Sequence, residues 1–146
     1  MLDLYAGSGA LGLESASRGA ASVDLVEKAP KAASVSQRNA DRVAKSLGQS
    51  VALRVHRAPV DAFLRTPRGP FDLVFIDPPY DLGDDDLHTS LALLTPSLSP
   101  DAIVVLERAS RSGEPALPEG LEYTRAKKYG DTTLWWVQPR VESQSR

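Results

Sequence analysis

Cysteine is absent from the 146-residue chain, which removes a disulfide framework, a thiolate metal site and a catalytic thiol at once. Histidine is scarce: only His56 and His88 occur, neither in a carboxylate–histidine pattern of zinc-site spacing, so no metal is expected. No run of about 18 apolar residues exists and no basic start leads into an apolar stretch. Neither a membrane span nor a secretory signal is therefore expected, and a cytoplasmic protein is. Neither sign of charge dominates, the formal net charge being −2. Bulk electrostatics thus do not announce a nucleic-acid binder, and any contact with phosphates must come from a local basic face or from a segment outside the chain. Internal repeats and low-complexity blocks are missing too. The nearest approach to a charge run, Asp84-Asp85-Asp86, reads as the solvated first turn of a helix, where Asp is favoured.

What is present is 42% hydrophobic residues, enough for one well-filled core, and the expectation is one domain over residues 1–138 with a disordered tail over 139–146. A monomer is expected. Apolar runs bounded by turn residues alternate with helical patterns, which predicts an α/β fold with a parallel sheet and crossover helices. Strands are expected near Leu2–Tyr5, Ser22–Val26, Val51–Val55, Leu73–Ile76 and Ile103–Glu107. Helices are expected near Leu11–Ser17, Lys31–Leu47, Val60–Leu64 and Asp86–Leu94, the second bounded by Pro30 and Gly48 as start and stop. Beyond Glu107 the pattern changes: Ala109–Glu119 reads as a loop, and Leu121–Lys127 and Thr132–Val137 as an antiparallel hairpin. Met1-Leu2-Asp3-Leu4-Tyr5 reads as a core strand with no lead-in, which predicts that a preceding segment belongs to the intact domain.

Two motifs carry chemistry. The first is Asp3-Leu4-Tyr5-Ala6-Gly7-Ser8-Gly9-Ala10-Leu11-Gly12, a strand entering a glycine turn and then a helix. Gly7 and Gly9 permit positive φ and let a ligand approach the backbone. Glu27, about 20 residues on at the end of the next strand, stands where a carboxylate accepts hydrogen bonds from ribose hydroxyls. This element alone serves NAD and S-adenosylmethionine equally. Asp3 tilts the choice, because an acid in the first strand suits a ligand carrying a sulfonium and an ammonium better than one carrying a pyrophosphate.

The second motif, Asp77-Pro78-Pro79-Tyr80, follows the strand Leu73-Val74-Phe75-Ile76 directly. In an open sheet of order 3-2-1-4-5, strands 1 and 4 are neighbours, so this tetrapeptide faces the glycine turn across the ligand crevice. An aromatic amine is awkward to methylate because its lone pair is delocalised into the ring. Two acceptors, the Asp77 carboxylate and the Pro78 carbonyl, hold its two N–H groups and favour a pyramidal nitrogen aimed at the methyl donor. Pro79 fixes Pro78 in an extended conformation and contributes no N–H of its own. Tyr80 offers a flat face for an unstacked base.

With these motifs the chain resembles the class I, Rossmann-like methyltransferases, and among them the RsmD family of 16S ribosomal RNA guanine-N2 methyltransferases. The matching residues are Leu2 to Glu14, Ser17-Arg18-Gly19-Ala20, Glu27, Asn39 and Asp77-Pro78-Pro79-Tyr80. The resemblance implies a sheet of order 3-2-1-4-5-7-6 and transfer from S-adenosylmethionine to a guanine N2 amine, on 16S RNA or an assembling small subunit. It places Asp3, Ala6, Gly7, Ser8, Gly9, Glu27 and Lys28 at the cofactor and Asp77, Pro78, Pro79 and Tyr80 at the reacting amine. Near the adenine the family usually has Asp or Asn, whereas this chain has Arg57-Ala58-Pro59-Val60-Asp61, so Asp61 or the Val60 backbone is the expected substitute. The family also carries a basic N-terminal extension, and a chain without it is expected to bind cofactor weakly and to methylate poorly. Asp-Pro-Pro-Tyr is shared with DNA amino methyltransferases and protein glutamine methyltransferases, which remain alternatives. A nucleotide-dependent oxidoreductase leaves this motif unexplained, and a non-catalytic binding module would be expected to lack Asp77 or Gly7. Arg38, Arg42, Lys45, Arg125, Lys127 and Lys128 read as a solvated face rather than as sites.

Overall fold

The computed structural model describes residues 1–140 apart from positions 19, 21, 49–51 and 80. Strands and helices alternate as β1 Leu2–Leu4, α1 Ala10–Ser17, β2 Ser22–Val26, α2 Pro30–Leu47, β3 Ala52–His56, α3 Val60–Leu64, β4 Phe71–Ile76, α4 Asp84–Leu94, β5 Leu98–Ala109, β6 Leu121–Tyr129 and β7 Thr132–Pro139. They form a seven-stranded sheet of order β3-β2-β1-β4-β5-β7-β6, parallel through β5 and antiparallel at β7 and β6. The sheet order and class are those expected from the sequence.

Alternation along β2 shows how the layers arise. Val23 and Leu25 join Leu13, Ala16 and Ala40 in one apolar cluster with α1 and α2, while Val26 joins Val60, Phe63, Leu64, Leu87, Leu91 and Leu94 in a larger one with α3 and α4. Successive strand side chains point to opposite faces, so the two helix pairs sandwich the sheet. In α2 the inward stripe is Ala33, Ser36 and Ala40, continued by the partly buried Val43 and Leu47. Ser36 is fully buried, a polar residue within that inward stripe. None of the described helices is long and apolar enough to cross a membrane.

Most boundaries differ from expectation by one or two residues, β4 starting at Phe71, β5 and β6 running on to Ala109 and Tyr129, and Ser110–Ser112 of the expected loop forming a 3-10 turn; three differences bear on the sheet and its helices. β5 begins at Leu98 rather than Ile103, because Leu98 pairs with Phe71 and a register shift before Leu73 absorbs Pro100, whose missing N–H makes the segment read as a turn. α4 starts at Asp84, two residues before its expected start. Pro139 was placed in the tail but belongs to β7, paired with Leu121 at the sheet edge. The Arg140 N–H extends that edge, donating to the Gly120 carbonyl at 2.8 Å. Residues 141–146 of the expected tail, and Val51 of the expected third strand, lie outside the described residues.

Helix α1 is tied to β1 at its first turn, where the Gly12 N–H donates to Asp3 Oδ2 at 3.1 Å. The helix lies so close to β2 that a Cβ on Gly12 would stand 2.3 Å from Leu25 Cδ2 and 3.0 Å from Val23 Cγ1. Both side chains are buried and packed, so Gly12→Ala should cost about 1–3 kcal/mol in urea unfolding.

Asp3 and Asp24, both buried, titrate in opposite directions. Burial pushes the Asp3 carboxyl up to about 6, the single Gly12 N–H offsetting only part of that cost. Burial also raises Asp24, but hydrogen bonds from Arg54 Nε at 2.9 Å and His56 Nε2 at 2.7 Å outweigh it and hold Asp24 below the usual range. Because the folded-state pKa of Asp3 exceeds its unfolded value near 3.8, its contribution to stability is full below pH 3.8 and lost as pH rises through about 6. Asp3→Asn keeps an acceptor for Gly12 without the charge. It should exceed the parent in stability by about 2–3 kcal/mol at pH 8, a difference that disappears by about pH 4 in parallel denaturation series.

Candidate active site

The sheet registers set the site. Leu4 lies opposite both Val26 and Ile76, and Ile76 lies opposite Leu106. The residues one step beyond this line are Glu27, Tyr5 and Asp77, which follow the carboxyl ends of β2, β1 and β4, and Glu107, near the end of the neighbouring β5. Neighbouring strands are about 4.8 Å apart, so adjacent members of this row are within side-chain reach of one another.

Tyr5 turns the chain out of β1 with φ 62°, a left-handed conformation uncommon for a bulky residue. The glycine turn that follows is fastened on every side. The Ala6 N–H donates to the Val26 carbonyl at 3.0 Å, and the Gly9 N–H to the Ala6 carbonyl at 2.8 Å. The Gly7 N–H donates to Glu27 Oε1 at 2.8 Å, and Glu27 Oε2 accepts the Ala29 N–H at 3.0 Å. From α2, Ser36 Oγ donates to the Gly7 carbonyl at 2.6 Å and Asn39 Nδ2 to the Ser8 carbonyl at 3.0 Å. The two positive-φ glycines differ in what they face: a Cβ on Gly9 would meet Leu25 Cδ1 at 2.8 Å, whereas one on Gly7, at φ 59°, meets nothing within 4 Å. Gly9 packs the turn onto the sheet, and Gly7 leaves open space above it.

Two cavities open on this row. The inner one, about 310 Å³, is lined by Tyr5, Val26, Glu27, Lys28, Val60, Asp77 and Pro79. The outer one, also about 310 Å³, is lined by Asp77, Pro78, Pro79, Glu107, Arg108, Ala109, Arg111, Ser112 and Thr132. Asp77 and Pro79 belong to both and stand between them. Pro78 is buried behind them, fixed by the proline that follows. Asp77 is exposed as a residue, but desolvation where it meets Glu107 pushes its carboxyl above the usual range, with the hydrogen bond between the two acids offsetting part of the rise. Glu107 is raised as well, by burial and then by the neighbouring Asp77.

Of the residues expected at the cofactor, Glu27, Lys28 and Val60 line the inner cavity, and Ala6, Gly7, Ser8 and Gly9 form the turn beside it. Asp3 lies beneath that turn, engaged with Gly12, and so shapes the site from below rather than lining the cavity. Asp61 points elsewhere: its carboxylate accepts the Ser90 hydroxyl of α4, which leaves Val60 as the residue facing the cavity. Asp77, Pro78 and Pro79 come together as expected, and Tyr80 lies outside the described residues. Sequence reasoning missed Tyr5, Ser36, Glu107 and Arg108. Tyr5 and Glu107 each end an expected strand next to a recognised motif, which was the available signal; Ser36 and Arg108 gave none, since only packing turns them inward.

Residues 1–138 match the protein family described as Conserved hypothetical protein 95. The chain is 32% identical over 148 aligned residues to the ribosomal RNA small subunit methyltransferase D of Escherichia coli strain K12, covering 99% of this chain and 70% of that protein. A solved Escherichia coli methyltransferase, yhhF, superposes with a TM-score of 0.82 at 30% identity, covering 97% of this chain and 77% of the other. The ribosomal protein L11 methylase of Lactobacillus delbrueckii subsp. bulgaricus shares the fold, with a TM-score of 0.74 at 19% identity over 96% of this chain and 69% of that one. A glycine turn facing an Asp-Pro-Pro acceptor and a family match over nearly the whole length agree: the chain belongs to the Conserved hypothetical protein 95 family, the family of ribosomal RNA small subunit methyltransferase D.

Proposed function

We propose that this chain transfers a methyl group from S-adenosylmethionine to the exocyclic N2 amine of a guanine in small-subunit ribosomal RNA. The observation that carries the reading is that two cavities meet at Asp77 and Pro79, one suited to a nucleoside cofactor and the other to a base.

The inner cavity fits the cofactor on chemical grounds. Each Glu27 oxygen holds one peptide N–H and keeps lone-pair capacity for a ribose hydroxyl. Val26 and Val60 supply apolar surface for a purine, and the space above Gly7 admits the chain of the ligand to the backbone. Bound there, S-adenosylmethionine supplies a methyl group on a cationic sulfonium. The protein's part is positioning and charge. The Asp77 carboxylate and the Pro78 carbonyl each accept one N–H of the target amine, directing its lone pair across the junction between the cavities. Asp77 is also placed to take the proton that the methylated amine releases. Tyr80 completes the proposal as a stacking face for the base.

Ribosomal RNA as substrate is supported by the names of the 32%-identical relatives and by the outer cavity's surroundings. Arg111 at its rim also lines a shallow cleft with Ser110, Lys128, Gly130 and Asp131. Beyond it, Arg125 lies over the Trp136 ring at 5.0 Å and Lys127 over Tyr129 at 5.0 Å, leaving a basic edge strand beside the cavity for phosphates.

Asp77→Asn keeps size and removes the anionic acceptor. Methyl transfer to small-subunit RNA should fall by about 10²–10³-fold in kcat, while calorimetric affinity for S-adenosylmethionine changes little. Because the pKa of Asp77 is raised and the ionised form is the working one, wild-type activity should be full above that pKa and fall as pH drops through it, beginning at a higher pH than an ordinary Asp would give. An Asn variant with wild-type kcat would remove Asp77 from the mechanism.

A further inference from the structure

The mechanism above uses Asp77 and the Pro78 carbonyl and leaves Glu107 idle. Yet Glu107, two residues before the end of β5, lies beside Asp77, half-buried in the wall of the outer cavity, with its carboxyl in hydrogen-bonding reach of the Asp77 carboxyl. Two acids held together facing a cavity present adjacent acceptors. A ligand edge that satisfies them must carry adjacent donors, because an acceptor between two carboxylates is repelled.

Among nucleobases with an exocyclic amine, the ring atom beside the amine-bearing carbon decides the match. In guanine that atom is N1, which carries a hydrogen. In adenine it is N1 and in cytosine N3, both bare lone pairs. We propose that Glu107 accepts the N1–H of the target guanine while Asp77 and Pro78 hold its N2 hydrogens, which makes Glu107 the residue that selects guanine over other amine-bearing bases. Glu107 then exchanges its acid neighbour for a donor on the base, relieving the charge of Asp77 that adds to burial in raising it in the free protein. Arg108, which also lines this cavity, is buried and turned to the Leu82 carbonyl at 3.2 Å and to Asp84 Oδ1 at 3.4 Å, so its guanidinium is already engaged. This inference rests on the guanine reading of the site and gives it a second, independent determinant.

The test uses the full chain and small-subunit RNA in which the modified guanosine has been mapped and then replaced by 2-aminopurine riboside, which keeps the N2 amine and lacks the N1 hydrogen. The unaltered protein should prefer guanine over 2-aminopurine by roughly 10–100-fold in kcat/KM, the cost of facing a carboxylate with a lone pair. Glu107→Gln presents an amide that can accept from guanine N1–H or donate to 2-aminopurine N1. The preference should therefore shrink to within a few-fold, through gain on 2-aminopurine as well as loss on guanine. Glu107→Ala should lose activity on guanine with no gain on 2-aminopurine, and both variants should bind S-adenosylmethionine as the parent does. Equal rates on the two RNAs by the unaltered protein would overturn the role of Glu107 whether or not the variants fold, and so would an unchanged preference in a Gln variant that binds cofactor. If mass spectrometry of the RNA digest finds methylation of a base other than guanine, or no N2-methylguanosine, the guanine reading itself falls and Glu107's role with it. N2-methylguanosine without discrimination against 2-aminopurine leaves that reading standing and removes only this one.

Discussion

The parallel register across β2, β1, β4 and β5 is the constraint on which the site depends. Val26, Leu4, Ile76 and Leu106 form one hydrogen-bonded line and are each almost fully buried. The residues that follow them, Glu27, Tyr5, Asp77 and Glu107, meet only because the apolar line is in register. A strand slipped by one residue would carry its apolar residues to the other face, so burial of the core fixes the placement of the acids. The acids are thus placed by the packing of the core and not by local sequence alone. At β1 the chain changes from extended to turn, and Tyr5 pays for that change with a left-handed φ of 62° in the wall of the inner cavity.

Cost of another kind appears in the charges. Asp24 and Asp3 sit in adjacent strands, Asp24 opposite Leu2 in register, and both are buried. Asp24 has two cationic or cation-capable partners and is held ionised; Asp3 has one peptide N–H and is not. A buried acid left so poorly partnered is unfavourable for the free protein at neutral pH. Its pKa is raised further by Asp77 and Glu27, the acids of the cleft above it. Asp3 therefore registers the negative field of the whole site, a field suited to a cationic ligand, which is the sense in which an acid in the first strand bears on the cofactor without touching it.

Much of this was legible in the sequence, for identifiable reasons. Short runs rich in Val, Ile and Leu bounded by turn residues gave the strands, and the glycine spacing with Glu27 gave the turn and its acid partner. Asp77-Pro78-Pro79 could be placed opposite that turn because in a sheet of order 3-2-1-4-5, the one the family resemblance implies, strands 1 and 4 are neighbours. What escaped depends on direction in space. Asp61 and Val60 are sequence neighbours at the start of α3, but the helix turns one toward Ser90 and the other toward the cavity. Ser36 looks like a polar interruption of an apolar stripe until its hydroxyl is seen to hold the Gly7 carbonyl. Pro100 and Pro139 argue against strands locally, and each is accommodated by a feature no local pattern shows: a register shift for the first, and for the second a place at the end of β7, beyond its last pair with β5.

Charge shows why the near-neutral total said so little about a partner. A net charge of −2 says nothing of how acids and cations are placed around the cleft. Acids line the cleft: Glu27 and Asp77 in the inner cavity, Asp77 and Glu107 in the outer. Cations gather where the outer cavity meets the surface, Arg111 at its rim and Lys128 in the cleft beside it, with Arg125 and Lys127 along β6. Such a separation selects against the wrong part of a nucleic acid entering the site. On the proposed reading, phosphates would be held at the rim and repelled from the acids within, while the donor-bearing edge of a base would be drawn inward. The same acids that would make the cleft hostile to a polyanion make it receptive to a sulfonium on one side of Asp77 and to N–H groups on the other. The local arrangement of charge, and not its total, is what fits the protein to RNA.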